Sequence, residues 1–190
     1  MCYAGGMAFL EVLTRTYRRP GGLARNQASL HAQTDGDYVQ TVLVDEVGIG
    51  VEAANARLAD VEPVGAYVWV LDDDDYCLRA DLVERLKGIV GAMLTPPAAV
   101  VVRMDHGNLG ILPDVGRWWG MVPPEGGIGA SALIVRADVW RQYREWWRTG
   151  RYAADYDFIA AVLRGETHVI WLDWIVSAIS RRSIGAPEVA

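Results

Sequence analysis

The sequence predicts an α/β fold: a single domain with a mixed, mostly parallel central sheet flanked by helices. Three observations carry this expectation. Short apolar runs alternate with longer segments of helical period, the pattern of strand and helix in turn. One run, residues 67–71 (Tyr-Val-Trp-Val-Leu), is apolar on both faces, as a central parallel strand covered by helices on each side must be. The chain has 190 residues and a hydrophobic fraction of 52%, enough to fill one sizeable core.

Residues 9–14 form the first apolar run, and the stretch from Arg15 to Gly22 is rich in turn formers. A helix is expected over 23–33 and a second strand over 38–44, closing on Asp45. Gly48 and Gly50 lead into a short helix over 51–58, followed by the strand at 67–71. From 80 to 93, Leu82, Val83, Leu86, Ile89, Val90 and Met93 share one helical stripe, so this segment packs on the sheet. Residues 99–102 are the fourth strand. The segment 105–129 is rich in Gly and Pro, contains Trp118 and Trp119, and is too long for a routine connection, which marks it as a candidate functional loop. A strand is expected at 131–135, then a helix whose apolar face is Val139, Trp140, Tyr143, Trp146 and Trp147, with the tryptophans in the core. A helix opening at Asp155 and running through Leu163, a last strand at 168–172 and a polar tail from Arg181 complete the chain. Residues 1–8 and 186–190 read as flexible ends, and there is no repeat or linker.

The 24 acidic residues outnumber the 18 basic ones, for a net charge of −6. Nothing resembles a basic stripe able to neutralise many phosphates, so a nucleic acid polymer is not the expected partner. Only Lys87 is a lysine; the other basic residues are arginines, whose planar fork grips phosphate or carboxylate with paired bonds, although genome composition gives the same bias. Cys2 and Cys77 are too few for a disulfide framework and fit a reducing compartment. No stretch reaches the roughly 18 apolar residues of a membrane span, and the opening residues lack a signal peptide's charged start. The expected location is the cytoplasm.

The most distinctive local feature is the run Asp72-Asp73-Asp74-Asp75 at the end of the central strand. Four adjacent carboxylates repel one another, and a divalent cation removes that cost. Magnesium and manganese take oxygen ligands and keep room for substrate phosphates, and ligands of open α/β sheets collect beyond the carboxyl ends of the strands. The plainer reading is a solvated acidic turn before a helix, with Asp81 or a neighbour at its positive end. A helix-loop-helix calcium site does not fit, because Cys77 stands where that loop needs glycine.

Several separated pieces agree in order and spacing: residues 13–20 (Leu-Thr-Arg-Thr-Tyr-Arg-Arg-Pro) with Leu23, Ser29 and Gln33 behind them, Asp45 ending a strand, Asn55, residues 65–75 leading into the acidic run, residues 127–136, and Ala154-Asp155-Tyr156-Asp157. Over residues 9–185 this order resembles the family-two glycosyltransferases, enzymes of the GT-A fold. The resemblance implies a nucleoside-diphosphate sugar donor, a hydroxyl-bearing acceptor and inverting transfer. It places Thr14, Arg15, Tyr17, Asp45, Asn55, Asp72 and Asp73 at the donor nucleotide. Asp72 and Asp74 map to the family's Asp-x-Asp motif, holding Mn2+ or Mg2+. Gly127 falls on the family's glycine-bearing strand beside the acceptor, and Asp155 maps to the general base. The family usually has Glu before that aspartate, and this chain has Ala154. The alternative for Asp155 is a helix N-cap, worth about 1 kcal/mol.

Arg181 and Arg182 are candidates for a second positive clamp on the diphosphate, or a solvated basic tail. Asp105 and His106 are candidates for sugar or acceptor contact, and Trp118 or Trp119 for stacking on a sugar, or for packing under the loop. Two other functions remain open from the sequence. A sugar-phosphate nucleotidyltransferase would need a glycine-rich phosphate loop after the first strand, of which Arg15, Arg18, Arg19, Gly21 and Gly22 are a partial imitation. A non-catalytic nucleotide-sugar or metal-binding module would suit the short chain.

Overall fold

In the computed structural model, residues 7–180 are described. The expected ends 1–6 and 186–190, and the pair Arg181 and Arg182, lie outside the described residues, while Ala8 already begins the first strand. The elements in order are β1 (Ala8–Thr16), α1 (Pro20–His31), β2 (Tyr38–Val44), α2 (Val51–Ala59), β3 (Gly65–Val70), β4 (Asp75–Cys77), α3 (Leu82–Ala92), β5 (Ala99–Asp105), β6 (Ile111–Leu112), β7 (Leu133–Arg136), α4 (Ala137–Tyr143), α5 (Ala154–Gly165) and β8 (Val169–Ile179). One sheet runs in the order β2-β1-β3-β7-β5-β8-β4, with β6 pairing to β5. The strands β1, β2, β3, β5 and β8 point one way, and the shorter β4, β6 and β7 oppose them. The sheet is therefore mixed and mostly parallel by strand direction.

Side-chain alternation along the strands splits the core into two layers. Tyr67, Trp69 and Leu71 face one way with Leu30 of α1 and Leu82, Val83, Leu86 and Val90 of α3. Val68 and Val70 face the other way with Leu58 of α2, Trp140 of α4 and Phe158 of α5. Coverage on both faces is why β3 and β5 read as unbroken apolar runs: residues 67–71 are all at most 4% exposed. From β1 the chain passes through α1 to β2 on one side, then through α2 to β3 on the other. This leaves a crevice at the carboxyl ends of β1 and β3, the place where open α/β sheets bind ligands.

Four expectations are corrected. β1 continues through Arg15 and Thr16, because both extend the parallel ladder with β2 up to Thr16 opposite Val44. α1 starts at Pro20, which suits the first turn of a helix, and takes in Gly21 and Gly22. The predicted helix over residues 139–147 breaks after Tyr143 into a 3-10 turn, Arg144–Arg148. The tighter winding rotates the faces, so Trp140 and Trp147 are buried while Trp146 is 49% exposed. The last strand is 11 residues rather than five. Against β5 its register slips, two β5 steps from Val101 to Arg103 matching four on β8 from Trp171 to Ile175, and Arg103 pairs with the bulged Asp173 at 2.6 Å. Its far end pairs antiparallel with β4, so Asp75 opens a strand instead of ending a loop.

Candidate active site

The crevice at the carboxyl ends of β1, β2 and β3 is a cavity of about 480 Å³. It gathers Arg15, Thr16, Tyr17 and Arg19 from the end of β1 and its turn, Asp45 and Gly48 from the loop after β2, Arg57 from α2, Asp72, Asp73 and Asp74 from the loop after β3, and Tyr152. Of the predicted donor residues, Arg15, Tyr17, Asp45, Asp72 and Asp73 line it, together with the predicted metal ligand Asp74.

Strand alternation assigns the two remaining β1 positions to opposite faces. Thr14 is buried toward α1, where its hydroxyl accepts from Gln40 Nε2 at 2.8 Å, so it is not on the lining. Arg15 points toward α2 and α5. Its Nε donates to Asp72 Oδ1 at 2.8 Å, Nη2 donates to Asp72 Oδ2, and Nη1 donates to Asn55 Oδ1. The indole of Trp147 lies under the guanidinium, 5.6 Å from its centre. Burial works against the charge on Arg15, but Asp72, then Asp155 and Asp74, outweigh it and keep it protonated. Asn55, 2% exposed, is thus a partner of Arg15, with longer contacts from Nδ2 to the carbonyls of Arg151 and Tyr152.

Arg19 forms the second pairing, with Nη1 donating to Asp73 Oδ1 at 3.1 Å and to Asp74 Oδ2 at 2.8 Å. Burial, the largest influence, raises the carboxyl pKa of Asp73 and Asp74, and the neighbouring aspartates add to it. Asp75 turns away into the core at 8% exposed, and burial raises it well above the usual carboxylate range. The acidic run is therefore no solvated turn. Asp81 heads α3 without capping it through its side chain, and pairs with Arg79 and Arg85.

Asp45 folds back on its own loop. Its carboxylate accepts from the backbone N–H of Val47 at 3.1 Å, Gly48 at 2.7 Å and Ile49 at 2.8 Å. Burial pushes its pKa up, and these three donors together bring it below the ordinary value. Gly48 has φ +81, and a Cβ there would sit 2.6 Å from the Tyr17 hydroxyl, so this turn needs glycine on both counts.

Asp155 sits in the first turn of α5 and makes no side-chain cap; the residue before the helix is Ala153. Burial raises its pKa and Asp72 adds to this, against the Tyr156 N–H and Arg15, so Asp155 shares the electrostatic neighbourhood of Arg15 and Asp72 without lining the cavity. Asp105 lies elsewhere, in a second recess of about 370 Å³ with Arg25, Tyr76 and Ser180. Its Oδ1 accepts from the Gly107 N–H, and the neighbouring His106 has a buried Nδ1 with no partner. Gly127 and Trp118 line neither cavity; Gly127 closes a turn onto the Pro124 carbonyl and Trp118 carries the Arg117 guanidinium at 5.7 Å.

Sequence reasoning missed Thr16, Arg57 and Tyr152 on the lining, and it read Arg19 only as part of an imitated phosphate loop. Arg19 was legible in one respect, as an arginine just before a helix-starting proline. Tyr152, 78% exposed, carries no sequence signal because proximity through the fold alone brings it to the cavity.

Among the described residues no cluster of three or more His, Cys, Asp or Glu side chains is arranged to hold a metal ion. The donor set still suits a cation completed by substrate. Asp72 and Asp74 face one cavity, their charges act on each other, and Asp73 Oδ2 is buried without a donor. Magnesium binds through one or two carboxylates plus phosphate oxygens more often than in an all-protein cage.

No family model and no curated protein matches the chain. Solved structures do. S. aureus TarS 1-349 superposes with a TM-score of 0.63 at 13% identity, over 90% of this chain and 60% of that one. Its complex with UDP gives 0.59 at 12% identity, again over 90% and 60%. A glycosyltransferase involved in the glycosylation of the major capsid of PBCV-1 gives 0.57 at 10% identity, over 92% of this chain and 94% of that one. The chain thus has a GT-A-like fold, the architecture of these glycosyltransferases. It spans about three fifths of TarS 1-349 and nearly all of the PBCV-1 protein.

Proposed function

We propose that this chain is a glycosyltransferase that binds a nucleoside-diphosphate sugar in the crevice of β1, β2 and β3 and transfers the sugar, with inversion, to an acceptor hydroxyl. The observation that carries the reading is the meeting of three aspartates and two arginines in one cavity at the carboxyl ends of β1 and β3, in a fold also adopted by TarS bound to UDP. A uridine nucleotide is accordingly the first donor to test.

Asp74 and Asp72 would hold Mn2+ or Mg2+, which supplies positive charge against the growing charge of the leaving diphosphate. Arg19, already drawn to Asp73 and Asp74, is placed to contact the same diphosphate with its remaining donors. Tyr17, Asp45 and Tyr152 line the part of the cavity left for the nucleoside. Asp155 accepts the proton of the attacking hydroxyl, helped by a pKa that burial brings closer to neutrality. The recess of Asp105 and Tyr76 lies beyond the acidic loop, joined to it where the Ser180 N–H donates to the Asp74 carbonyl at 2.7 Å, and is assigned to the acceptor.

A nucleotidyltransferase is disfavoured because Gly21 and Gly22 belong to the first turn of α1, leaving no glycine-rich loop for a triphosphate. No helix among the described residues is long and apolar enough to cross a membrane, and the free buried thiol of Cys77 fits a reducing compartment such as the cytoplasm. Calorimetric titration with UDP, with and without manganese, tests the reading. Binding that requires manganese supports it, and no UDP binding under either condition sinks it.

A further inference from the structure

Asn26 is at the middle of α1, fully buried, on a stripe with Gly22 and Leu30. Asparagine is a poor choice there: it is a weak helix former, and its amide must be satisfied away from water. Its Nδ2 donates to three backbone carbonyls of the acidic loop, Leu71 at 3.2 Å, Asp72 at 2.9 Å and Asp75 at 3.1 Å. Its Oδ1 accepts from Gln40 Nε2 at 2.7 Å, and the same Nε2 donates to Thr14. Both ends of the amide are therefore used, and its orientation is fixed from β2.

We propose that Asn26 is a positioning residue of the donor site, setting the aim of the Asp72, Asp73 and Asp74 carboxylates through the backbone that carries them. The inference rests on the donor reading above. Three carbonyl oxygens converge on one amide group, and without a donor they would be left unpaired and would repel each other. The Asp72 carbonyl also accepts from the Asp75 N–H at 2.9 Å, which closes the loop into a tight turn. With carbonyls of both Asp72 and Asp75 pulled toward α1, Asp72, Asp73 and Asp74 are held at the cavity and Asp75 is sent into the core. Gln40 acts one step further out, holding the Asn26 carbonyl oxygen so that the NH2 group faces the loop.

The test uses Asn26→Ala and Gln40→Met, with UDP in saturating manganese, uridine, and amide hydrogen exchange as probes. Asn26→Ala is expected to weaken UDP binding tenfold or more, leave uridine within about twofold, and speed exchange at the Asp73 and Asp75 amides while the middle of α1 stays protected. Gln40→Met should act in the same direction and more weakly. Equal loss of UDP and uridine affinity, or unfolding of both variants, would show a role in the fold at large and overturn the proposal. So would unchanged exchange in a folded Asn26→Ala. Failure of the unaltered protein to bind UDP overturns the donor reading instead, and is read on a different measurement from the exchange.

Discussion

The guanidinium of Arg15 lies flat against the carboxylate of Asp72, Nε to Oδ1 at 2.8 Å and Nη2 to Oδ2 beside it, so that β1 and the loop after β3 are locked together at the floor of the cavity. The two side chains are only 18% and 24% exposed. A planar fork against a planar carboxylate is the strong form of this interaction, and the third arm of Arg15 on Asn55 ties α2 to the same point.

Arg15→Met keeps the length of the side chain and removes all three bonds, leaving Asp72 and Asn55 facing an apolar group. Because the pair is partly screened, the cost falls below that of a fully buried one, at about 1–3 kcal/mol. Urea unfolding at pH 7 should show the loss as a lower midpoint with an unchanged slope.

Asp155→Asn removes the proton acceptor and leaves the cavity lining intact. Transfer should fall about 10²–10⁴-fold while UDP affinity holds, as read by product formation and calorimetry side by side. Undiminished turnover would remove Asp155 from the chemistry.

The pH dependence follows from the same residue. Asp155 acts only when ionised, so the rate is lost as pH falls through its pKa in the folded protein. Burial is the largest influence on that pKa; although the Tyr156 N–H and Arg15 lower it, the net shift is upward from 3.8. The acid limb of kcat/KM should therefore turn down above the pH at which an ordinary aspartate would protonate.

Gly22→Ala sets two effects against each other. Alanine is the better helix residue by about 1 kcal/mol. Its Cβ, however, would stand 2.5 Å from the Asp73 carbonyl oxygen, a backbone atom of the acidic loop that cannot rotate away. Overpacking of this kind costs about 1–3 kcal/mol, so net destabilisation is expected, with weaker UDP binding, both measurable on one purified variant.

Cys77 is buried beneath the same region, and burial pushes its thiol pKa up to about 11 despite the nearby Arg79 carbonyl and Gln33 amide. In a Cys2→Ser background the folded protein should resist a thiol reagent at pH 8 and react within minutes once unfolded in urea. Rapid reaction of the folded form would contradict the burial.

The strand-helix alternation, the double-sided burial of residues 67–71, the helices on the stripes of Leu30 and Leu86, and the place of the acidic run after a central strand are written in short-range patterns that the sequence alone determined. Period two and period 3.6 depend on neighbours along the chain, and so does the charge repulsion within four adjacent aspartates. The order in which Arg15, Asp45, Asn55, the acidic run and Asp155 follow one another was legible for the same reason.

Only the tertiary structure decided what each polar group meets. Thr14 and Arg15 are neighbours in sequence, yet strand alternation sends one to Gln40 and the other to Asp72 and Asn55. Asp75 looks like its three predecessors in the sequence, but pairing of β4 with the far end of a bulged β8 takes it into the core. Asn26 reads as an ordinary polar residue of a helix until the fold brings three carbonyls to it from 45 to 49 positions away. Hydrogen bonds and ion pairs act within a few ångströms, and which groups come that close is settled by the packing of both layers against the sheet.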